Sequence, residues 1–216
     1  MLDSRGPRRD VYRADALEWL AGNAASDAMS VITSLPDSSE LRELEFDAWQ
    51  SWFVKAARAV LEWTPPTGVA IFFQTDVRRG GTWVDKSYLV LRAAEAEGAR
   101  LLWHKIMCRE PPGTVTYGRA GYSHLLCFSR GDRVKPERSG PDVIADAGFK
   151  PSEKAMGVVA CRLACQFVLD ETETRVIVDP FCGHGTALAV ANQLGLDAVG
   201  VDRSARCCAT ARRLKL

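Results

Sequence analysis

With 216 residues, 47% of them hydrophobic and 25% charged, the chain has the composition of a folded protein with a full core. Its 28 Lys and Arg against 27 Asp and Glu leave a net charge of +1, which excludes a global electrostatic grip on nucleic acid; any such contact must be local. No apolar run reaches the roughly 18 residues of a membrane span, the basic start MLDSRGPRRD lacks the apolar centre of a secretion signal, and seven cysteines without framework spacing suit a reducing compartment. The expectation is a cytoplasmic protein of one domain.

In chain order, Val11 to Arg13 reads as a strand, followed at Asp15 by a helical segment, ALEWL. Ser30 to Thr33 is a second strand, ending in the tetrad Ser34, Leu35, Pro36, Asp37. From Asp47 to Trp63 apolar residues recur at three- and four-residue spacing, the mark of an amphipathic helix, which Pro65 and Pro66 stop. GVAIFFQ is a buried strand, and the polar TDVRRGG after it a loop. A helix from Lys86 to Glu97 ends at Gly98. Strands at Leu101 to Met107 and His124 to Ser129 flank a loop rich in Pro and Gly. Arg130 to Phe149 reads as loop, and Ser152 opens a helix to about Leu169 with Glu153 in its first turn. A strand from Arg175 to Asp179, a helix from Gly185 to Leu194 and a strand from Ala198 to Val201 complete the set. Seven strands alternating with helices predict an α/β fold, a doubly wound and mostly parallel sheet covered on both faces.

The stretch RVIVDPFCGHGTALAVANQLGLDAVGVD carries the chemistry. A strand ends at Asp179, a turn holds Gly183 and Gly185, and a helix leads to a second strand ending in Asp202. Glycines let a ligand approach the backbone and leave helix N–H groups free to receive it. A carboxylate at the tip of the next strand is placed to hold a ribose diol, so the ligand should contain a nucleoside. A dinucleotide motif would need a third glycine, which is absent.

D-P-F-x-G-x-G-T instead resembles motif I of the S-adenosylmethionine-dependent methyltransferases that modify exocyclic amines of nucleic-acid bases. Other segments fit the same family. VYRADALEWL resembles its motif III, SVITSLPD its motif IV tetrad [DNS]-P-P-[YFW], and KPSEKAMGVVACRLACQFV its motif X. Cofactor motifs near the end of the sequence and the tetrad near its start reproduce the order of the circularly permuted β group. The resemblance implies a Rossmann-like seven-stranded methyltransferase fold in one domain. Its catalytic half is residues 10–129, followed by a short loop at 130–150 and a cofactor half at 151–216. It implies S-adenosylmethionine as cofactor, framed by Asp15, Ala16, Ser152, Lys154, Asp179, Pro180, Phe181, Cys182, Gly183, Gly185, Thr186, Asp202 and Arg203. It assigns substrate contact to Ser34, Leu35, Pro36 and Asp37, with no metal. In the family order, the strands ending in Asp179 and Ser34 are neighbours, so cofactor turn and tetrad share one crevice.

Ser34 keeps the tetrad's side-chain acceptor and Leu35 its carbonyl, but Asp37 replaces the aromatic that stacks on the base. Either Asp37 accepts a hydrogen bond from the substrate while Trp49, Trp83, Tyr117 or Tyr122 stacks, or the site has lost base methylation and keeps cofactor binding. The interval Arg130 to Phe149 is too short for an inserted recognition domain, which favours RNA somewhat over DNA as substrate. Basic clusters, among them Arg78/Arg79 and Arg203/Arg206, are phosphate contacts or solvated surface; a homodimer or a recognition subunit would supply the rest. The rivals are a non-catalytic cofactor- or RNA-binding subunit and a methyltransferase acting on a protein or small molecule. Cys161, Cys165, Cys207 and Cys208 read as core residues of helices, His104 and His124 as structural, and His184 as facing cofactor or solvent.

Overall fold

The computed structural model describes residues 6–132 and 134–216. Its strands are β1 (Arg9–Arg13), β2 (Met29–Thr33), β3 (Ala70–Gln74), β4 (Val77–Arg79), β5 (Thr82–Val84), β6 (Arg100–Cys108), β7 (Tyr122–Ser129), β8 (Val143–Ile144), β9 (Val176–Asp179) and β10 (Asp197–Asp202). The helices are α1 (Ala16–Gly22), α2 (Phe46–Trp63), α3 (Lys86–Ala96), α4 (Val158–Glu171), α5 (Thr186–Gln193) and α6 (Ala205–Arg213). The seven expected strands form one sheet in the order β1-β10-β9-β2-β3-β7-β6, extended by the two-residue β8 at its edge. β7 runs antiparallel to both its neighbours; the other pairings in this sheet are parallel.

Near-continuous apolar strands fit a sheet buried on both faces. Ile32, Ile71, Phe73 and Ile177 pack with residues of α4, α5 and α6, whereas Val31, Phe72 and Val178 pack with α1, α2 and α3. The α2 stripe holds as expected, with Trp49, Phe53, Ala56, Ala57, Val60 and Leu61 all buried. Among the described residues, no helix is long and apolar enough to cross a membrane.

Four expectations are corrected. The polar stretch after β3 contains a hairpin, β4–β5, turned by Gly80 and Gly81 at φ 55° and 82°; a Gly-Gly pair satisfies a two-residue turn that needs positive φ twice. The interval Arg130 to Phe149 contributes β8, because Ile106 N–H donates to the Asp142 carbonyl alongside β6. A further helix, α6, follows β10, capped by the Ser204 side chain and ending in Arg212 and Arg213. Finally, the helix expected from Ser152 begins only at Val158. Its orphan donors are met by another loop: Val158 N–H donates to the Phe149 carbonyl at 2.9 Å, and Val159 and Ala160 N–H to that of Ala147 at 3.1 and 3.3 Å. Residues 152–157 are left as a turn, and that turn faces the cleft described below.

This docking works only with glycine at the cap. A Cβ on Gly157 would lie 1.9 Å from the Ala147 carbonyl oxygen. Gly157→Ala is therefore expected to lower unfolding stability by about 2–3 kcal/mol in urea titrations, while Gly22→Ala, which meets nothing within 4 Å, leaves stability equal or higher; equal behaviour of the two variants would refute the tight cap.

Candidate active site

The sheet order reverses between β9 and β2. β9 passes through α5 to β10 on one side, and β2 through α2 to β3 on the other. Where they part, Thr33 Oγ1 donates to Asp179 Oδ1 at 2.7 Å. A cleft of about 800 Å³ opens above this point. One wall is Asp15 and Ala16 at the start of α1, Asp179 to His184, Thr186, and Asp202 with Arg203; the facing wall holds Ser34, Leu35 and Pro36. The turn at Ser152 and Lys154 adds a third side. Fifteen of the 17 site residues named from sequence thus share one cavity; Gly185 and Asp37 do not line it.

Gly185 frames the site from behind. It caps α5 at φ 82°, and a Cβ there would lie 2.8 Å from Ala211 Cα of α6. Gly183, at φ 50°, has nothing within 4 Å of the place a Cβ would occupy, so its backbone stands open to a ligand.

Three carboxylates set the electrostatics. Asp179 is buried, and that burial, with the charge of Asp202 added, pushes its pKa up to about 7 against the hydrogen bonds from Thr33 and from Phe181 N–H. Asp202 accepts from Gly183 N–H through one oxygen at 3.1 Å and from Ser204 N–H through the other at 2.7 Å, which pins the glycine turn to the tip of β10. Asp15 caps α1 through Oδ1, accepting from Leu17 and Glu18 N–H. Burial pushes the Cys182 thiol far up, so it is no nucleophile.

On the facing wall Leu35 is buried in the core beneath the cleft, and the Pro36 carbonyl accepts from Trp49 Nε1 at 3.2 Å. Trp49, a candidate for stacking, is consequently fully buried behind the tetrad and cannot stack. Asp37 turns into its own loop: Oδ1 accepts from Ser39 N–H at 2.7 Å, and its N–H donates to Glu40. Burial opposes ionisation there, but the Ser39 hydrogen bonds and the cations Lys86 and Lys154 outweigh it and lower its pKa. Trp83 and Tyr117 are exposed away from this cleft, and Tyr122 lies beside Asp76.

Residues the sequence did not single out complete the walls, among them Glu40, Glu43 and Met156, together with Trp52, which the sequence placed in the apolar stripe of α2. Trp52 meets the edge of Phe181 with ring centroids 5.9 Å apart; unlike the rest of the α2 stripe to which the sequence assigned it, it is only half-buried and faces the cleft. Lys154 Nζ donates to Ser39 Oγ at 3.0 Å, joining the turn at 152–157 to the tetrad loop. Lys86, also passed over, is buried, and burial lowers its pKa to about 8. Cys161, Cys165 and Cys208 are core residues as expected, but Cys207 lines the cleft, as does His184. Asp76, Asp85 and His124 converge outside the cleft. The His124 ring is satisfied within the protein, by Asp76 at 3.1 Å and His104 at 2.9 Å, in keeping with a structural role.

Neither a family model nor a curated protein matches the sequence. Solved structures do. A candidate DNA modification methylase from Thermus thermophilus, TTHA0409, superposes with a TM-score of 0.71 over 95% of this chain and 92% of its own, at 20% identity. The cytosine-N4-specific PvuII DNA methyltransferase follows at 0.69, with 98% and 90% covered and 18% identity. The complex of M1.HpyAVI with SAM reaches 0.62, with 94% and 97% covered and 15% identity. The chain has the methyltransferase fold. Within that fold the glycine turn follows β9 and the tetrad follows β2, the order the sequence motifs implied.

Asp179 makes the fold sensitive to pH. Its folded pKa of about 7 lies above the unfolded value of 3.8, so the folded state holds the extra proton between them and stability falls as pH rises through that window. Asp179→Asn keeps an acceptor for Thr33 and removes the charge. Its stabilising effect on the ligand-free protein is expected to be larger at pH 8 than at pH 5 by on the order of 2 kcal/mol, read from urea unfolding at both values; a pH-independent effect would count against a buried ionisable Asp179.

Proposed function

We propose that this protein transfers a methyl group from S-adenosylmethionine to an exocyclic amine of a DNA base. The observation that carries the proposal is the single cleft at the switch point, with the glycine turn on one wall and the Ser34–Pro36 strand tip on the other. The fold neighbours named as DNA methylases support DNA over the RNA that the short 130–149 interval suggested.

The residues present suit this cofactor. The open backbone at Gly183 leaves room beside the turn, and Asp202 has lone pairs beyond those used by Gly183 and Ser204 for a ribose diol. Among the described residues Asp179 Oδ2 has no hydrogen bond, and its buried negative charge would be compensated by a ligand's ammonium. The edge-on Trp52–Phe181 pair and Asp15 would border an adenine. When bound, S-adenosylmethionine supplies an electrophilic methyl carbon on a sulfonium.

Toward that carbon the opposite wall presents an amine. Ser34 Oγ and the Leu35 carbonyl are the acceptors for its N–H groups; accepting them turns the nitrogen lone pair away from the ring and toward the methyl. Leu35 is immobilised by burial and Pro36 by the Trp49 hydrogen bond, so the carbonyl is held without the rigidity of a first proline. Asp37 acts one step back, shaping the loop that ends the tetrad. Such positioning, rather than acid–base strength, is the main contribution asked of this wall.

Incubation with methyl-labelled cofactor and genomic DNA, RNA or protein tests the reading. Label is expected in DNA, removable by nuclease and absent from RNA and protein. Asp202→Ala should weaken cofactor binding in calorimetry by roughly 1.5–3 kcal/mol, tenfold to a hundredfold in Kd, while Ser34→Ala should lower turnover with that Kd unchanged. Cofactor binding without label in any polymer would point instead to a non-catalytic subunit.

A further inference from the structure

The interval between β7 and α4 contributes only the short strand β8 among the described residues, and another element stands beside the tetrad. The β4–β5 hairpin leaves the sheet at the end that carries the tetrad, because β3 lies parallel to β2 with Thr33 opposite Phe72. Its base is closed by Lys86 N–H donating to Asp76 at 2.9 Å. It is also wired to the tetrad: the Arg79 guanidinium sits 5.2 Å above the Phe46 ring, Phe46 stacks on Trp49 at 5.3 Å, and Trp49 holds the Pro36 carbonyl.

Between the hairpin, α2 and α3 runs a second groove of about 860 Å³. Trp83 projects beside it with half its surface exposed, as does Tyr88, 58% exposed, with the Arg92 guanidinium 5.8 Å above its ring. Arg79 and Arg92 line the groove opposite Asp47 and Asp85, and Asp85 is already engaged as the cap of α3. Exposed flat rings for stacking, interleaved with guanidinium groups for phosphates, are the chemistry that holds an unpaired strand.

We infer that this hairpin groove is the DNA-binding surface of the protein, with Trp83 as a stacking platform for a base next to the one entering the cleft and Arg79 and Arg92 on the backbone phosphates. The inference rests on the proposed function for the identity of the polymer. It differs in assigning recognition to a segment without any cofactor or tetrad residue.

Fluorescence anisotropy with a short labelled single-stranded DNA, in low salt and with S-adenosylhomocysteine present, tests it. Trp83→Ala is expected to weaken binding by roughly fivefold or more, Trp83→Phe to recover most of the loss, and Arg92→Ala to lower the slope of affinity against salt by about one. Calorimetric affinity for S-adenosylhomocysteine and the melting temperature should match those of the unaltered protein. Photocrosslinking of iodouracil-substituted DNA to that unaltered protein should label the peptide spanning residues 77–92. Undiminished DNA binding by the variants, or crosslinks mapping elsewhere, would overturn the groove and leave the base-methylation reading standing. An unaltered protein that binds the cofactor product but no DNA would overturn both.

Discussion

The hydrogen bond from Thr33 to Asp179 joins two strands whose connections leave in opposite directions, and the site is built on that junction. A parallel pair can be held along its length by backbone ladders, but at the switch point the ladder ends and the next residues diverge. Here the last contact is a hydroxyl on a carboxylate, at 2.7 Å and out of water. Farther down the same seam, Ser30 and Thr174 make a second buried side-chain pair at 2.7 Å. A hydrogen bond between neutral groups contributes about 0.5–1.5 kcal/mol, and in this position the worth of both bonds is also geometric: they fix where the tetrad stands relative to the glycine turn.

The two walls achieve their rigidity by different means. The cofactor wall is backbone held by carboxylates. Asp202 clamps Gly183 and Ser204, Asp179 clamps Phe181, and Gly185 lets α5 start against α6 where any side chain would collide. The opposite wall is held from below by aromatics and aliphatics, with Leu35 sunk in the core and Trp49 pinning Pro36. A proline-proline pair would stiffen the tetrad through its own φ angles; here packing substitutes for that constraint. Because Asp37 is committed to Ser39, the loss of the closing aromatic is not made good from within the tetrad. The half-exposed Trp83 is linked to Pro36 through Arg79, Phe46 and Trp49 but stands outside the cleft, where it can meet only a base beside the target.

Much of this was legible in the sequence because it is written in short-range patterns. Strands buried on both faces appear as apolar runs such as AIFFQ, and the α2 stripe as its periodicity. The glycine turn and the carboxylate of Asp202 are marked by residue types that few other structures require. What escaped depends on contacts between distant segments. The helix start at Val158 is set by the Ala147 and Phe149 carbonyls rather than by Ser152 and Glu153. The small buried face of α6, Cys208 and Ala211, is too narrow to show a periodicity. The Gly80–Gly81 hairpin did carry a local signal, obscured by its polar flanks. Whether a cleft-bordering residue such as Trp52 faces a ligand or the core is fixed by the tilt of α2, which no local pattern encodes.

The turn at 152–157 shows how the late helix start bears on the site. Had α4 begun at Ser152, Lys154 would belong to a rigid first turn. Instead it lies in a short loop, reaching Ser39 at 3.0 Å and Glu40 at 3.7 Å across the mouth of the cleft. The groups involved are substantially exposed, and such pairs are worth only about 0.2–1 kcal/mol. The bridge therefore orders two loops without locking them: they can part for a nucleoside at little cost, while the strand tips beneath, held by buried hydrogen bonds and core packing, stay where the chemistry needs them. Rigidity is concentrated at the floor of the cleft and released at its rim, a division that follows directly from which contacts exclude water.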